Sequence, residues 1–126
     1  MWTGFAINYY KRHDRLFDLL DRNNQNATFF CLGWVARKFP HILRKIDDLG
    51  YEIATHSDLH QLAYTQSKPV FNQDLEKSIK SIEDIIGRKV KIYRAPGFSI
   101  KEDNVWVFEE LVKQGIEIDC SVFPAK

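Results

Sequence analysis

At 126 residues the chain has room for one core and no more. Lys plus Arg number 18 and Asp plus Glu 17, so the net charge of +1 lacks the basic excess of a nucleic-acid-binding surface. With 44% hydrophobic residues the chain can bury a core, which excludes general disorder, and no apolar run approaches the roughly 18–20 residues that cross a bilayer.

In chain order the elements alternate. Residues 7 to 22 place Tyr9, His13, Leu16, Phe17 and Leu20 on one helical face, and Asn23 to Asn26 break the pattern with turn-forming residues. Ala27 to Leu32 reads as a short strand buried on both faces. Pro40 suits the first turn of a helix carrying Ile42, Leu43, Ile46 and Leu49, which Gly50 ends. Tyr51 to Thr55 is a second strand. A long helix through Phe71, Leu75, Ile79, Ile82 and Ile86 closes at Gly87, followed by a third strand over Lys89 to Tyr93. Ser99 and Glu102 have capping-box spacing ahead of a helix whose apolar face is Val105, Phe108, Leu111 and Val112. Gly115 ends it, and Ile116 to Cys120 is a fourth strand.

Helix–strand units in series predict an α/β fold with a parallel sheet and right-handed crossovers. The reading opens on a helix with no strand before it, so residues 1–126 are expected to be an internal part of a longer domain. The opening Met1–Ala6 shows no basic stretch before a long apolar one, hence no visible signal peptide and an expected cytoplasmic location. Cys31 and Cys120 sit in separate apolar runs and are expected to be reduced, buried thiols.

In a parallel sheet the carboxyl ends of the strands carry the chemistry. Gly33 and Trp34 follow the first strand, His56-Ser57-Asp58-Leu59-His60 the second, and Arg94-Ala95-Pro96-Gly97-Phe98-Ser99 the third. His56 and His60 are four apart, so in a helical turn both imidazoles could share one metal ion of the zinc type. Asp58 between them reads as a solvated loop carboxylate, with a third-ligand role as the alternative. His13 and His41 read as packing or capping residues. Arg94 in a loop stiffened by Pro96 suits an anionic group, or a carboxylate to be oriented. Trp34 and Phe98 could offer a sugar an apolar ledge, with core packing as the alternative.

Ala27-Thr28-Phe29-Phe30, Glu52 through His60, and Tyr93 through Ser99 resemble successive motifs of the polysaccharide deacetylases, the chitooligosaccharide-deacetylase-like enzymes of carbohydrate esterase family four. Leu32-Gly33-Trp34 and Asp119 through Pro124 resemble the branch associated with bacterial exopolysaccharide and capsule gene clusters. The resemblance implies a deformed (β/α) barrel of seven or eight strands and a divalent metal, usually zinc. It implies hydrolysis of the N-acetyl amide of a polysaccharide or sugar by a water activated at that metal. On this resemblance His56 and His60 are metal ligands, Ser57 supports their loop, and Arg94 holds the catalytic aspartate. Pro96, Phe98 and Trp34 are expected to contact substrate.

In that family an earlier strand carries paired aspartates, one the base and one the third ligand, and a later histidine is the acid. No such pair precedes the first helix here, so neither role is carried over to any residue. The expectation is a partial catalytic domain, inactive alone, whose open sheet edges a homo-oligomer could cover. With its partner carboxylate missing, Arg94 is expected to be exposed or to hold a stray anion. Two other readings are a non-catalytic carbohydrate-binding or assembly module and a related barrel amidohydrolase.

Overall fold

The computed structural model describes residues 14–122. His13 and the expected helix before residue 14 lie outside the described residues, as do Phe123 and Pro124. Residues 14–22 are helical (α1). Then follow β1 (Thr28–Cys31), α2 (Gly33–Lys38), α3 (Pro40–Asp48), β2 (Glu52–Thr55), α4 (Lys68–Ile86), β3 (Ile92–Tyr93), α5 (Trp106–Lys113) and β4 (Ile118–Asp119). The four strands form one parallel sheet in the order β1-β2-β3-β4. β3 and β4 are two residues each, shorter than the apolar runs suggest.

Register sorts the side chains. Cys31, Thr55, Tyr93 and Asp119 are successive partners across the sheet, and Phe30 pairs with Ala54 one step earlier. Because side chains alternate along a strand, Ile53, Thr55 and Tyr93 face the helices, whereas Phe30, Ala54 and the residues that follow at His56 and Arg94 take the opposite face. The helical side holds the core. Phe71, Leu75, Ile79 and Ile82 of α4 pack there with Ala36, Leu43, Ile46 and Val107. Each large apolar side chain so buried contributes at most about 1.5–3 kcal/mol. Phe17, Phe29 and Tyr51 close one end with ring centroids 5.6–6.1 Å apart.

α4 begins as its sequence dictates. The Ser67 hydroxyl accepts the Val70 N–H at 3.4 Å, Pro69 occupies the first turn, and Gly87 ends the helix at φ 71°.

Several expectations change. Residues 33–38 are helical, an element not assigned from the sequence; α2 and α3 abut at Phe39. β1 is only half-buried, because it lies at an edge of the described sheet. α5 is rotated from its expected face. Val107 and Leu111 are buried, while Val105, Phe108 and Val112 are 57%, 36% and 72% exposed. Ser99 caps no helix; it is buried and its hydroxyl accepts the Ala63 N–H at 2.7 Å. His41 is exposed in the first turn of α3 rather than packed in the core.

Both cysteines are free, as expected. They keep some surface, but burial pushes the Cys31 thiol up to about 12. Among the described residues no helix is long and apolar enough to cross a membrane.

Candidate functional site

The sheet ladder runs one residue past each strand. The N–H of His56 donates to Cys31 O at 2.9 Å, that of Arg94 to Thr55 O at 3.1 Å, and that of Cys120 to Tyr93 O at 2.8 Å. These bonds seat the loops that follow β2, β3 and β4 side by side.

The His56–His60 segment is not the helical turn that the four-residue spacing suggests. Ser57 and His60 are both left-handed, at φ 70° and 58°. Such residues cost about 1–2 kcal/mol each when they are not glycine, so the surroundings must hold them there. The result still brings the rings together: the imidazole centroids lie 4.9 Å apart at 64°. Ser57 Oγ accepts the His60 N–H at 3.0 Å, the loop-supporting part expected of it. His56 Nδ1 lies 2.8 Å from the Arg94 carbonyl oxygen. A carbonyl only accepts, so Nδ1 carries the proton and Nε2 keeps its lone pair. Burial lowers the His56 pKa and the charges of His60 and Arg94 lower it further, against the raising effect of the bond to Arg94 O. A neutral imidazole with a fixed tautomer is what a metal ligand needs.

Asp58 is neither a solvated carboxylate nor a third ligand. It is 1% exposed and its two oxygens accept from Arg37 Nη1 and Nη2 at 2.6 and 3.1 Å. A paired carboxylate is the form in which such a group can be buried. Arg37 Nη1 also reaches Ser81 Oγ at 2.9 Å. The loop's carbonyls are taken by α2 and α4: Gly33 N–H donates to Ser57 O at 3.0 Å, Trp34 N–H to Asp58 O at 3.4 Å, and Ser78 Oγ to Ser57 O at 3.1 Å. Its amides at Asp58 and Leu59 donate to Asp74. Burial raises the Asp74 pKa, opposed by those two N–H bonds, with the Asp58 charge raising it further. A Cβ on Gly33 would stand 2.2 Å from Asp58 Oδ1 and 2.7 Å from Ser78 Cα, so the α2–α4 crossing admits only glycine there.

Arg37, Asp74 and Ser78 escape the motif reading because their partners are remote in sequence. A signal exists nonetheless: Asp74, Ser78 and Ser81 stand at i, i+4 and i+7 on α4, a polar line beside its apolar face.

Arg94 is not exposed as expected, and what it packs on is aromatic. Its guanidinium carbon is 4.1 Å from the Phe30 ring centroid and 5.6 Å from that of Phe98, and Nε donates to Cys120 O at 3.1 Å. Its Nη groups make no hydrogen bond to a described residue, so they remain available to an anionic group. The loop is fixed by Ala95 N–H donating to Ser121 Oγ at 2.7 Å, which in turn donates to Asp119 Oδ1 at 2.6 Å. Pro96 is buried and shapes the loop rather than offering surface. Trp34 is partly exposed in the first turn of α2 and Phe98 is 47% exposed. Among the described residues no third His, Cys, Asp or Glu gathers with His56 and His60 to make a metal cluster.

Known proteins resemble this chain in sequence and in fold. The family model described as polysaccharide deacetylase matches residues 4–117. The chain is 33% identical over 84 residues to chitin deacetylase 2 of Cryptococcus neoformans var. grubii, covering 67% of this chain and 18% of that protein. It is 29% identical over 97 residues to a peptidoglycan-N-acetylglucosamine deacetylase of Bacillus cereus, covering 76% of this chain and 35% of that one. The chain therefore spans well under half the length of these curated relatives. Its fold resembles that of a CE4 family pseudoenzyme from Bacillus anthracis, with a TM-score of 0.77 at 23% identity, over 84% of this chain and 37% of that one. The parallel sheet thus corresponds to part of the barrel expected from the sequence. Fungal relatives stand beside bacterial ones, so these likenesses mark the family rather than its exopolysaccharide branch. On a family match running through β1, β2 and β3 and the loops that bear the histidines and the arginine, the chain belongs to the polysaccharide deacetylase family.

Proposed function

We propose that this chain carries the two-histidine part of a divalent-metal site, zinc by its donor chemistry, within a deacetylase that acts on N-acetylated glycans such as a surface polysaccharide. The observation that carries the reading is the bond from His56 Nδ1 to the Arg94 carbonyl, which leaves Nε2 open beside the His60 ring, 4.9 Å away between centroids. His56 and His60 would hold the divalent ion, which would supply a Lewis acid for an amide carbonyl and a lowered pKa for water. His56 and His60 bind as neutral donors. Arg94, pinned against Phe30, offers its Nη groups to a carboxylate or another anionic group and orients it. Trp34 and Phe98 present apolar faces to a sugar ring. The names of the relatives, a chitin deacetylase and a peptidoglycan-N-acetylglucosamine deacetylase, support an N-acetylated sugar as the substrate class.

Calorimetric titration of zinc into the wild type and into His56→Ala/His60→Ala tests the metal site. Binding by the wild type that the double variant loses is expected. Identical isotherms would remove the metal from the account.

A further inference from the structure

The backbone between the two histidines is bent twice into the left-handed region, at Ser57 and His60, with no glycine to make that easy. The groups that hold it act on different atoms. Gly33 and Ser78 take the Ser57 carbonyl, Arg37 takes the Asp58 side chain, and Ser57 Oγ takes the His60 amide. The two amides at the middle of the loop, those of Asp58 and Leu59, both donate to one carboxylate on α4. Asp58 N–H reaches Asp74 Oδ1 at 2.9 Å and Leu59 N–H reaches Asp74 Oδ2 at 3.2 Å.

Two adjacent amides that converge on one anion form a backbone concavity that binds negative charge. Here a side chain of the same chain fills it. The pairing uses both oxygens of the carboxylate, one for each donor. An asparagine in the same geometry has one acceptor atom, and its NH2 group would face one of the two N–H groups. The Asp58 carboxylate is engaged elsewhere, by Arg37, and so does not compete for these amides.

We infer that Asp74 is a positioning residue for the His56–His60 pair: its carboxylate fixes the loop conformation in which the two imidazoles converge. It thereby sets how tightly the pair holds a divalent cation. The inference rests on reading His56 and His60 as metal ligands, since Asp74 acts through the backbone of the residues between them.

The test is a calorimetric zinc titration of the wild type, Asp74→Asn and His56→Ala/His60→Ala, each checked for folding by far-UV circular dichroism. Wild-type binding, none in the double variant, and binding about 10- to 100-fold weaker in folded Asp74→Asn is the expected result, the size typical of substitutions just outside a ligand shell. Wild-type affinity in folded Asp74→Asn overturns the positioning role and leaves the metal reading standing. A flat wild-type isotherm overturns the metal reading and this inference with it. Amide hydrogen exchange on the metal-free wild type keeps the test open should Asp74→Asn fail to fold. Slow exchange at Asp58 and Leu59 is expected, and unprotected rates at both would overturn the clamp.

Discussion

At the end of β2, residues 56–60 are held by charge and by backbone amides. At the end of β3, residues 94–99 are held by ring faces, a buried proline and serine hydroxyls. In the first loop the Arg37–Asp58 pair, the Asp74 carboxylate and the α2 amides all converge on the segment bounded by two left-handed residues, Ser57 and His60. In the second, Arg94 lies on Phe30 and Phe98, Pro96 is buried, and Ser121 and Ser99 each tie one backbone amide. The two constructions fail differently. A network around a buried carboxylate is cooperative, because losing one member leaves another charged or polar group buried without its partner. Stacked rings and single hydroxyl bonds lose their contributions one at a time. The segment bearing both proposed ligands has the brittle construction; the segment bearing the arginine has the graded one.

The sharpest way to break this contrast is Gly33→Ala. The new methyl would meet a carboxylate oxygen already fixed by Arg37 and the backbone of Ser78, and neither is the free end of a flexible chain. A loss of about 3 kcal/mol in urea unfolding is expected, at the upper end for overpacking. A loss under about 1 kcal/mol would mean that α2 and α4 can separate without disturbing Asp58, and the first loop would not be brittle.

Arg94→Ala probes the other side. It removes a guanidinium stacked on Phe30 and one hydrogen bond to a carbonyl, without stranding a buried charge. The expected cost is about 1–2 kcal/mol, with Arg94→Lys intermediate because an ammonium neither stacks flat nor donates from an Nε. A change within about 0.5 kcal/mol for Arg94→Ala would return the residue to the exposed role its sequence position suggested.

The same contrast explains what could be read from the sequence. Local chemistry was legible: Gly87 and the apolar steps Phe71, Leu75, Ile79 and Ile82 specify α4 without reference to anything distant, although its starting signals Ser67 and Pro69 went unread. The two histidines and Arg94 were legible because strand ends in a parallel sheet share a face. α2 was not, since its six residues open on a glycine without a side-chain cap and are too few to show a period. The α5 face was misread for a different reason. Val105, Phe108 and Val112 have helical spacing, but Glu110 accepts from Asn72 at 2.7 Å and Gln114 donates to Asn72 O at 3.1 Å, which turns polar residues toward α4. The role of Asp58 depended on Arg37, 21 residues earlier, and no local pattern encodes a pairing of that reach.

The smallest expected effect is one of pH, and it reads the hydrogen bond from His56 to the Arg94 carbonyl, which joins the two loops. His56 donates from Nδ1 to the Arg94 carbonyl, and its pKa in the folded chain lies below 6.5, chiefly through burial. The unfolded chain therefore takes up a proton at His56 at a pH where the folded chain still resists it. Stability follows the difference in bound protons, so this residue leaves stability at its full value above pH 6.5 and erodes it as pH falls from 6.5 through the lower folded value. Urea unfolding of the metal-free chain, in the presence of a chelator, should show stability declining over that window. His56→Gln should flatten the decline, because an amide does not titrate there. A decline of unchanged slope in His56→Gln would place the pH dependence on other groups, and would mean that the imidazole between the brittle loop and the graded one is not held neutral by its surroundings.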